Sequence, residues 1–233
     1  MSNSATSAEK RPVGRPRGDG TPHLTRERVF AVSAGLIGKH GFGGTSIRMI
    51  AGALKASPAS LFHLFGSKAD LLNDLIAFAA APSLTFYGQI AALDLAPDVA
   101  LYKSILEEVR WVASAERDQA ALFYLPELRQ AEFAPARQVR ADMVRHFEAL
   151  IARGCKAGVL VADYPQLAAE QVFQLTETSI LAGDAVDRML PDVQAMATAD
   201  LCLRGLLADA ARLDSLKVQA GGIALVIEMA DAV

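Results

Sequence analysis

The sequence predicts an all-α protein with a small N-terminal three-helix head, which ends near residue 72, and a larger helical body behind it. Three observations lead to this fold class. Apolar residues recur at helical spacing along most of the chain. No stretch of any length alternates apolar and polar residues as a strand does. The 233 residues are 52% hydrophobic, which is enough to bury two cores of unequal size.

The first helix of the head is predicted over residues 24–40. Its buried face follows helical spacing and consists of Val29, Phe30, Ser33, Leu36, Ile37 and His40. Gly41 comes next, and glycine often ends helices because it adopts left-handed backbone angles without strain. We therefore expect the first helix to stop at Gly41.

Two short helices joined by a tight turn are predicted after it. The first covers residues 46–54 and repeats apolar residues at helical spacing, namely Ile47, Ile50, Ala51 and Leu54. Ser57 and Pro58 begin the second, because serine caps free backbone amides and proline suits the first helical position. Only Lys55 and Ala56 remain for the turn, a length typical of helix-turn-helix units.

The segment that leads into the body begins at Ser67. Asp70 lies three residues later and completes a pair that is similar to a capping box. Apolar spacing then continues through Ile76. Pro82 lies farther along, and proline in a helix interior removes a backbone hydrogen bond. We expect Pro82 to kink or split this segment.

The residues of the head resemble the N-terminal signature of the TetR family of transcriptional regulators. The signature positions are Thr45, Ile50-Ala51, Lys55-Ala56, Ser57, Leu61-Phe62-His63, Phe65 and Ser67-Lys68. Three positions depart from the family pattern, since Lys55 replaces a glycine, Phe62 a tyrosine and Leu64 a histidine. The resemblance implies an all-helical body and a DNA-binding head with fewer polar groups on its reading surface than usual.

Candidate DNA-binding residues stand at helix starts or on exposed helix faces, because helix N-termini offer free amides to phosphates and exposed side chains reach base edges. Each also has a plainer interpretation as a helix cap, a solvated charge or a surface side chain. The family spacing and the basic charge of the head favour DNA binding. The candidates are Thr45, Ser46, Arg48, Ser57, Pro58, Ala59, Ser60, Phe62, His63 and Lys68.

A basic arm precedes the head over residues 1–23, and its Ser, Ala, Gly and Pro content predicts disorder. Its Gly-Arg-Pro core is similar to the AT-hook, which would place Arg15 and Arg17 in a DNA minor groove. A flexible tail that adds only salt-sensitive affinity is an equally good interpretation. Up to Leu72 the chain has ten Lys or Arg against four Asp or Glu, so a basic end precedes an acidic body.

Helical segments separated by Pro, Gly or Asp are predicted along the body. We assign the DNA-binding domain to residues 24–72, the effector-binding and dimerisation domain to 73–215, and a C-terminal tail of unknown structure to 216–233. The predicted body helices cover 98–115, 117–129, 132–156, 166–190 and 193–213.

The last two long helices are predicted to form a homodimer contact. The helix at 166–190 is apolar on two sides, which requires two partners. The family resemblance implies a four-helix bundle between subunits at this place. The alternative is that both apolar stripes close the subunit's own core. The proposed interface residues are Leu175, Ser179, Ala182, Gly183, Val186, Leu203, Leu206 and Ala210.

The family resemblance also implies a pocket for a small-molecule effector in the body. The candidates are aromatic residues and one glutamate on a largely apolar helix, namely Trp111, Phe123, Tyr124, Phe147, Phe173 and Glu177. A buried carboxylate at Glu177 would require a cationic or hydrogen-bond-donating partner. In most proteins such aromatics pack in the core, and such a glutamate is solvated or paired.

No enzyme active site, metal site or cofactor is predicted. Cys155 and Cys202 lack metal-ligand spacing, the four histidines are scattered, and no glycine-rich loop follows a strand. Asp, Pro or Gly interrupt the longest apolar runs, so no membrane span is expected. Two isolated cysteines and the lack of a signal segment favour a cytoplasmic protein, which as a DNA binder would associate with the bacterial nucleoid.

The predicted function is that of a homodimeric regulator, by family frequency a repressor, whose partners are an operator in double-stranded DNA and an unknown small-molecule effector. The effector would release the protein from a palindromic operator by changing the separation of the two heads. The alternative is a dimeric architectural or partner-recruiting DNA-binding protein with no effector.

Overall fold

The computed structural model describes residues 24–114, 121–181 and 189–226, and the described backbone is helical almost throughout. The head contains the first three helices and the start of the fourth; the other helices belong to the body. The helices are α1 (Arg26–Gly44), α2 (Ile47–Leu54), α3 (Pro58–Phe65), α4 (Lys68–Ala92), α5 (Pro97–Ser114), α6 (Ala134–Lys156), α7 (Pro165–Thr176), α8 (Thr178–Leu181), α9 (Pro191–Leu206) and α10 (Leu213–Gly221). The all-α prediction is confirmed.

Side-chain caps begin all four helices that build the head. Thr25, Ser46, Ser57 and Ser67 each accept a hydrogen bond from the backbone amide three residues later. The predicted starts at Ser57 and Ser67 are therefore confirmed, and Asp70 completes the Ser67 cap because the Ser67 hydroxyl donates to its carboxylate over 2.7 Å. These local hydrogen bonds position α2 and α3.

The turn between α2 and α3 is left-handed at Lys55, whose φ is 54° and ψ 35°. Lysine replaces glycine at this position of the family pattern, so the strain expected for a side chain in this region is present, at a cost of about 1–2 kcal/mol. Gly41 has φ 72° and interrupts α1, although helical turns resume beyond it up to Gly44. The predicted stop at Gly41 is a kink.

Helix α4 runs unbroken from Lys68 to Ala92 and passes through Pro82, so the predicted split is wrong. Its apolar residues are buried on both sides of the proline, which holds the helix together despite the lost backbone hydrogen bond. Among the described residues, α4 is also the one helix long and apolar enough to cross a membrane by length and composition. Here it packs in the cores of head and body.

Two of the predicted body helices are interrupted, and a third is replaced by other structure. Residues 122–133 form three short 3₁₀ turns (Leu122–Tyr124, Pro126–Arg129 and Ala131–Phe133) where one helix over 117–129 was predicted; residues 115–120 lie outside the described chain. The helix predicted at 166–190 ends at Thr176. The helix predicted at 193–213 ends at Leu206, where an isolated bridge pairs Leu207 with Leu160.

The described part of the C-terminal tail is ordered by contacts with the body. Helix α10 occupies its beginning, and Leu216 and Ala220 are fully buried. The side-chain amide of Gln89 then pairs with the backbone of Val226, donating to its carbonyl over 2.6 Å and accepting from its amide over 2.9 Å. Residues 227–233 lie outside the described chain.

The protein has two hydrophobic cores, and α4 contributes to both. The core of the head includes Leu122, Phe133 and Ala136, which come from the body in sequence. The predicted boundary between residues 72 and 73 therefore falls within a continuous helix and within a shared core. Head and body are joined by packing as well as by the chain.

Candidate functional site

The exposed face of α3 is the candidate DNA-reading surface. Pro58, Ala59, Phe62 and His63 are exposed, whereas Leu61 is fully buried in the core of the head. Phe62 is 49% exposed, a large apolar ring in solvent at a place where a thymine methyl group could be contacted. The face has no Arg, Asn or Gln, the side chains that make the commonest bidentate base contacts.

The Ser57 and Ser60 hydroxyls are engaged with one another. Their oxygen atoms are 2.8 Å apart, and Ser57 Oγ also accepts from the Ser60 amide over 3.1 Å. Ser57 is exposed and Ser60 is half-buried. Both hydroxyls keep lone pairs or a proton for a DNA contact, but their first task is to cap α3.

Thr45 is buried, which corrects the expectation that its side chain faces a phosphate. Its Oγ1 lies 2.9 Å from the Gly41 carbonyl and 3.1 Å from the Leu36 carbonyl, and a hydroxyl bonds a carbonyl only as a donor. Thr45 therefore fastens the kinked end of α1 to the start of α2. Ser46, which is exposed and caps α2, is the residue of this pair that solvent or a phosphate can reach.

Lys68 is also engaged within the head, where a free phosphate contact was expected. Its ammonium donates to the Phe42 carbonyl and lies 3.9 Å from the centroid of the Phe42 ring. Partial burial lowers the pKa of Lys68, with Glu127 of the body acting in the opposite direction. Arg48 and Lys55 are exposed and remain the cations of α2 and its turn that face solvent. Arg15 and Arg17 lie outside the described residues.

The body contains a small cavity, open to solvent on one side, between α4, α5, α6, α8 and the 3₁₀ segment (residues 122–133). Small and apolar side chains make most of its wall, and Ser83, Glu108 and Glu177 are its polar lining residues besides the indole of Trp111. The lining residues are Ala79, Ala80, Ser83, Glu108, Trp111, Val112, Phe123, Met143, Glu177 and Ile180. An apolar cavity with a few convergent polar groups is the usual form of a ligand site.

Glu108 projects from α5 into this cavity and is only 1% exposed. The Tyr87 hydroxyl donates to its Oε2 over 2.6 Å. Burial raises the pKa of Glu108 to about 7, against the lowering effect of the hydrogen bonds from Tyr87 and Ser83, and the charge of Glu177 raises it further. The carboxyl group therefore exchanges its proton near neutral pH.

Glu177 is 4% exposed and stands at the break between α7 and α8. The Tyr124 hydroxyl donates to its Oε2 over 2.7 Å. Burial raises the pKa of Glu177, and the nearby charge of Arg140 lowers it in part. Arg140 itself makes a two-pronged contact with Glu170, at 3.1 and 3.4 Å, and its guanidinium lies over the Phe173 ring.

His146 is a neutral ring that packs outside the cavity lining. It stacks on Tyr87 with ring centroids 4.1 Å apart, and burial lowers the pKa of its imidazole to about 4. Ser104 Oγ lies 2.9 Å from the Ala100 carbonyl and 2.8 Å from His146 Nε2. Because the carbonyl only accepts, the hydroxyl donates to it and accepts from Nε2–H. His146 therefore adds no cation to the site.

The structure brings three of the six predicted ligand residues to the cavity. Trp111, Phe123 and Glu177 line it, and Tyr124 supports it through its bond to Glu177. Phe147 and Phe173 are fully buried and pack against each other with ring centroids 6.0 Å apart, which corrects their assignment to the lining. The residue that the sequence analysis missed is Glu108. Among the described residues, no group of His, Cys, Asp and Glu side chains could hold a metal ion.

The predicted dimer surface is divided by the structure. Leu203 is fully buried in the body core, so for this residue the alternative of an internal contact is correct. Leu206 is half-buried against the same core, and Ala210 is exposed in a 3₁₀ turn beyond α9. Leu175 is 37% exposed. The side chain of Ser179 and the residues Ala182, Gly183 and Val186 lie outside the described part of the chain.

Helix α9 also leaves apolar side chains in solvent. Val193, Met196 and Leu201 are 41%, 47% and 61% exposed, although Ala195, Ala199 and Leu203 of the same helix are buried. Helix α9 packs along α5 and also contacts α7, the helix that carries the exposed Leu175.

Residues 29–75 match the family model described as bacterial regulatory proteins of the tetR family. The match covers α2, α3, most of α1 and the first part of α4, which together form the head. No curated protein matches the sequence.

Solved structures of regulators resemble the whole described fold. AmtR of Mycobacterium smegmatis shares 28% identity at a TM-score of 0.68, over 90% of this chain and 99% of that one. FadR of Bacillus subtilis in complex with stearoyl-CoA shares 14% identity at a TM-score of 0.65, over 78% of this chain and 99% of that one. AibR in complex with isovaleryl coenzyme A and operator DNA shares 16% identity at a TM-score of 0.66, over 76% of this chain and 96% of that one. The last two show likeness of fold alone.

The helix-turn-helix head with its capped α2 and α3, the family match over that head and the all-helical body shared with AmtR agree with one another. The head of this chain therefore matches the DNA-binding head of TetR-family transcriptional regulators, and the whole described fold is similar to solved structures of such regulators.

Proposed function

We propose that the protein is a homodimeric repressor that binds a near-palindromic operator with its two heads and leaves it when a small molecule enters the body cavity. One observation carries this proposal: residues 122–133, the 3₁₀ segment, touch the cavity with one part and the core of the head with another. A change in the cavity therefore acts on the head through direct packing.

The cavity side of the 3₁₀ segment is formed by Phe123 and Tyr124. Phe123 lines the cavity and packs against both hydrophobic cores. Tyr124 donates its hydroxyl proton to Glu177 in the cavity wall. A ligand that displaces either side chain therefore acts directly on this segment.

The head side is formed by Leu122 and Phe133, which are 1% and 0% exposed within the core of the head. The Phe133 ring meets the Phe42 ring edge-on with centroids 5.3 Å apart. The side chain of Asn73 in α4 makes two hydrogen bonds at the end of the segment. It donates to the Glu132 carbonyl over 3.0 Å and accepts from the Ala136 amide over 3.3 Å. The orientation of the head thus depends on the position of this segment.

Homodimerisation is proposed through the exposed apolar residues Val193, Met196 and Leu201 of α9, together with Leu175. A regulator that reads a two-fold operator needs two heads at a fixed separation. Apolar side chains that a single subunit leaves in solvent are stabilised when a second copy covers them. AibR was crystallised in complex with isovaleryl coenzyme A and operator DNA. That complex supports the proposal of a helical body that carries DNA-binding heads and also accepts a ligand.

Sequence preference in this proposal rests on half-site spacing and groove shape as much as on α3. The exposed face of α3 offers His63, the Phe62 ring and the serine hydroxyls as its direct contacts with bases. Arg48 and Lys55 supply phosphate contacts, which position the head without reading bases.

Operator binding is tested with the DNA that flanks the protein's own gene, by fluorescence anisotropy and footprinting. The expected footprint has two protected half-sites about one helical turn apart. His63→Ala should change the preference among operator variants, whereas Arg48→Ala should weaken all of them and reduce the salt dependence by about one counterion. Equal losses on all sequences for both variants would contradict this division between base and phosphate contacts.

The dimer is tested by sedimentation of Leu201→Glu at micromolar concentration. The buried charge should separate the subunits. Val218→Glu is the matched control, because Val218 is 77% exposed on α10 and lies outside the proposed face. A wild-type protein that sediments as a monomer, or a dimer that both variants retain, would refute the interface.

The rival function is a DNA-binding architectural or partner-recruiting protein without an effector. A thermal-shift screen followed by operator binding separates the two, since a compound that stabilises the protein and weakens operator binding supports the switch.

Proteins of this family are generally non-enzymatic regulators, and a regulator of bacterial DNA acts in the cytoplasm. Association with the nucleoid follows from the proposed operator binding.

A further inference from the structure

Among the described residues, the wall of the body cavity carries two carboxyl groups and no basic side chain. Glu108 and Glu177 come from different helical elements and face the same space, and none of the ten lining residues is Lys, Arg or His. Each carboxyl group is buried, at 1% and 4% exposure. Burying two acids in one apolar cavity is costly unless something compensates their charge.

The protein holds these acids in place by hydrogen bonds from neutral donors. Tyr87 donates to Glu108 over 2.6 Å and Tyr124 donates to Glu177 over 2.7 Å. These bonds orient the carboxylates but carry no positive charge, so the charge of Glu177 is offset only in part, by the nearby Arg140. Each tyrosine also determines which lone pairs of the carboxylate oxygens remain free to accept another hydrogen bond.

In the described part of the chain, the basic side chains near the cavity are Arg140, which is paired with another acid, and His146, which is neutral. Arg140 makes its two-pronged contact with Glu170 and covers the Phe173 ring, outside the lining. His146 stacks behind Tyr87 with its pKa lowered by burial. Burial accordingly raises the pKa of both glutamates, as expected for acids that a base does not neutralise.

Aromatic and apolar side chains complete the wall. Trp111 and Phe123 present ring surfaces, and ring faces attract cations. Ala79, Ala80 and Val112 add small apolar contacts beside them. The combination of acids, aromatic rings and apolar surface suits a molecule that is positively charged at one end and apolar at the other.

The geometry points to a protonated amine with a short apolar group as the effector class, bound with its ammonium between Glu108 and Glu177. This inference rests on the proposed function, because it names the chemistry of the effector for the same cavity. An ammonium donates hydrogen bonds to carboxylates and balances their charge. A carboxylate ligand would meet two like charges, and a neutral one would leave both uncompensated.

The test is isothermal titration of the full-length protein with three probes of matched size: hexylamine, hexan-1-ol and hexanoate. Hexylamine should bind best. Glu108→Gln and Glu177→Gln should each lower its affinity about tenfold to a hundredfold, because each removes a charge-assisted hydrogen bond. Glu148→Gln is the matched control, since it removes the same charge from α6 at a position outside the cavity lining.

Thermal unfolding of each variant without ligand verifies that the cavity variants are folded. Hexylamine that fails to bind the folded wild-type protein, or binds all three Gln variants equally well, overturns the inference. Preferential binding of hexan-1-ol or hexanoate in the cavity, lost on filling it with Ala80→Leu, also overturns it.

Measurements of operator binding distinguish a failure of the amine inference from a failure of the proposed function. Release of the operator by hexanol or hexanoate would overturn the amine inference and leave the effector switch intact. Hexylamine binding that depends on both glutamates but leaves operator affinity unchanged would support the inference and contradict the switch.

Discussion

Head and body use polar side chains in different ways. In the head, Ser46, Ser57 and Ser67 are exposed or half-buried at helix starts, and each accepts a hydrogen bond from the backbone amide three residues later. The body buries Glu108 and Glu177 in a cavity with tyrosine donors from distant helices. The head is therefore a fixed reading surface, whereas the body keeps an uncompensated charge that a ligand can balance.

The largest expected effect tests whether the head can stand alone. Phe133→Ala removes a fully buried ring that the body contributes to the head core, and should lower the free energy of unfolding by about 3–5 kcal/mol. Urea unfolding of the DNA-free protein measures it. Tyr164→Ala, at a ring that is 74% exposed, should change stability by no more than about 0.5 kcal/mol. A Phe133 loss as small as this control would show that the head core is complete without the body.

The next effect concerns the buried charge of the body. Burial raises the pKa of Glu108 to about 7 from its ordinary value of 4.5, so folding favours its protonated form. The stability that protonation of Glu108 contributes is complete below the pKa of the unfolded chain, and it is lost as the pH rises through the pKa of the folded protein. Glu108→Gln removes this loss, and should make the protein more stable than wild type above neutral pH by about 2–3 kcal/mol.

The pH dependence of this difference is its own control. Variant and wild type should converge in urea unfolding as the pH falls below the ordinary pKa of 4.5, where the wild-type carboxyl group is protonated in both states. A stability difference that stays constant over this range would show that the effect is packing and that Glu108 carries no buried charge.

A third prediction contrasts close packing within the body with open helix surface. A side chain at Gly154 of α6 would place its Cβ 2.3 Å from Leu160 Cδ1, so Gly154→Ala should destabilise the protein by about 1–3 kcal/mol. Gly88→Ala in α4 meets nothing within 4 Å and should stabilise by about 0.5–1 kcal/mol. Thermal unfolding distinguishes the signs, and a stabilising Gly154→Ala would refute the close approach.

The smallest effect concerns the strained turn of the head. Lys55 has φ 54°, which glycine adopts without a steric penalty, so Lys55→Gly should raise the stability of the head by about 1 kcal/mol or less. Lys39→Gly, in the regular part of α1, should instead destabilise by about 0.5–1 kcal/mol. Equal destabilisation by both substitutions in thermal unfolding would show that the turn is unstrained.

The head was predictable because its signals are local. Capping serines, Pro58 at a helix start and apolar residues at helical spacing act within a few positions, so the bounds of α2 and α3 follow from the sequence. The buried position of Thr45 and the internal contact of Lys68 were not predicted because the Leu36 and Phe42 carbonyls lie beyond that range. A local pattern shows a polar side chain but not what it contacts.

The body was less predictable because its site is assembled from distant segments. Glu108 lies three residues after Ile105 and four before Val112, within an apolar stripe, and a charge at such a position was a signal that was not used. Phe147 and Phe173 resemble Trp111 in sequence but pack in the core. The break at Thr176 and the 3₁₀ segment depend on packing against other helices, which helical spacing does not encode.

The most direct test of the central claim, that the cavity is coupled to the head, is reciprocal binding of ligand and operator. The probe is whichever matched compound loses affinity on Glu177→Gln, titrated into the protein with and without saturating operator DNA. The account predicts that operator weakens ligand binding by the same factor by which ligand weakens operator binding, as linkage requires. Ligand affinity that is unchanged by the operator would contradict it.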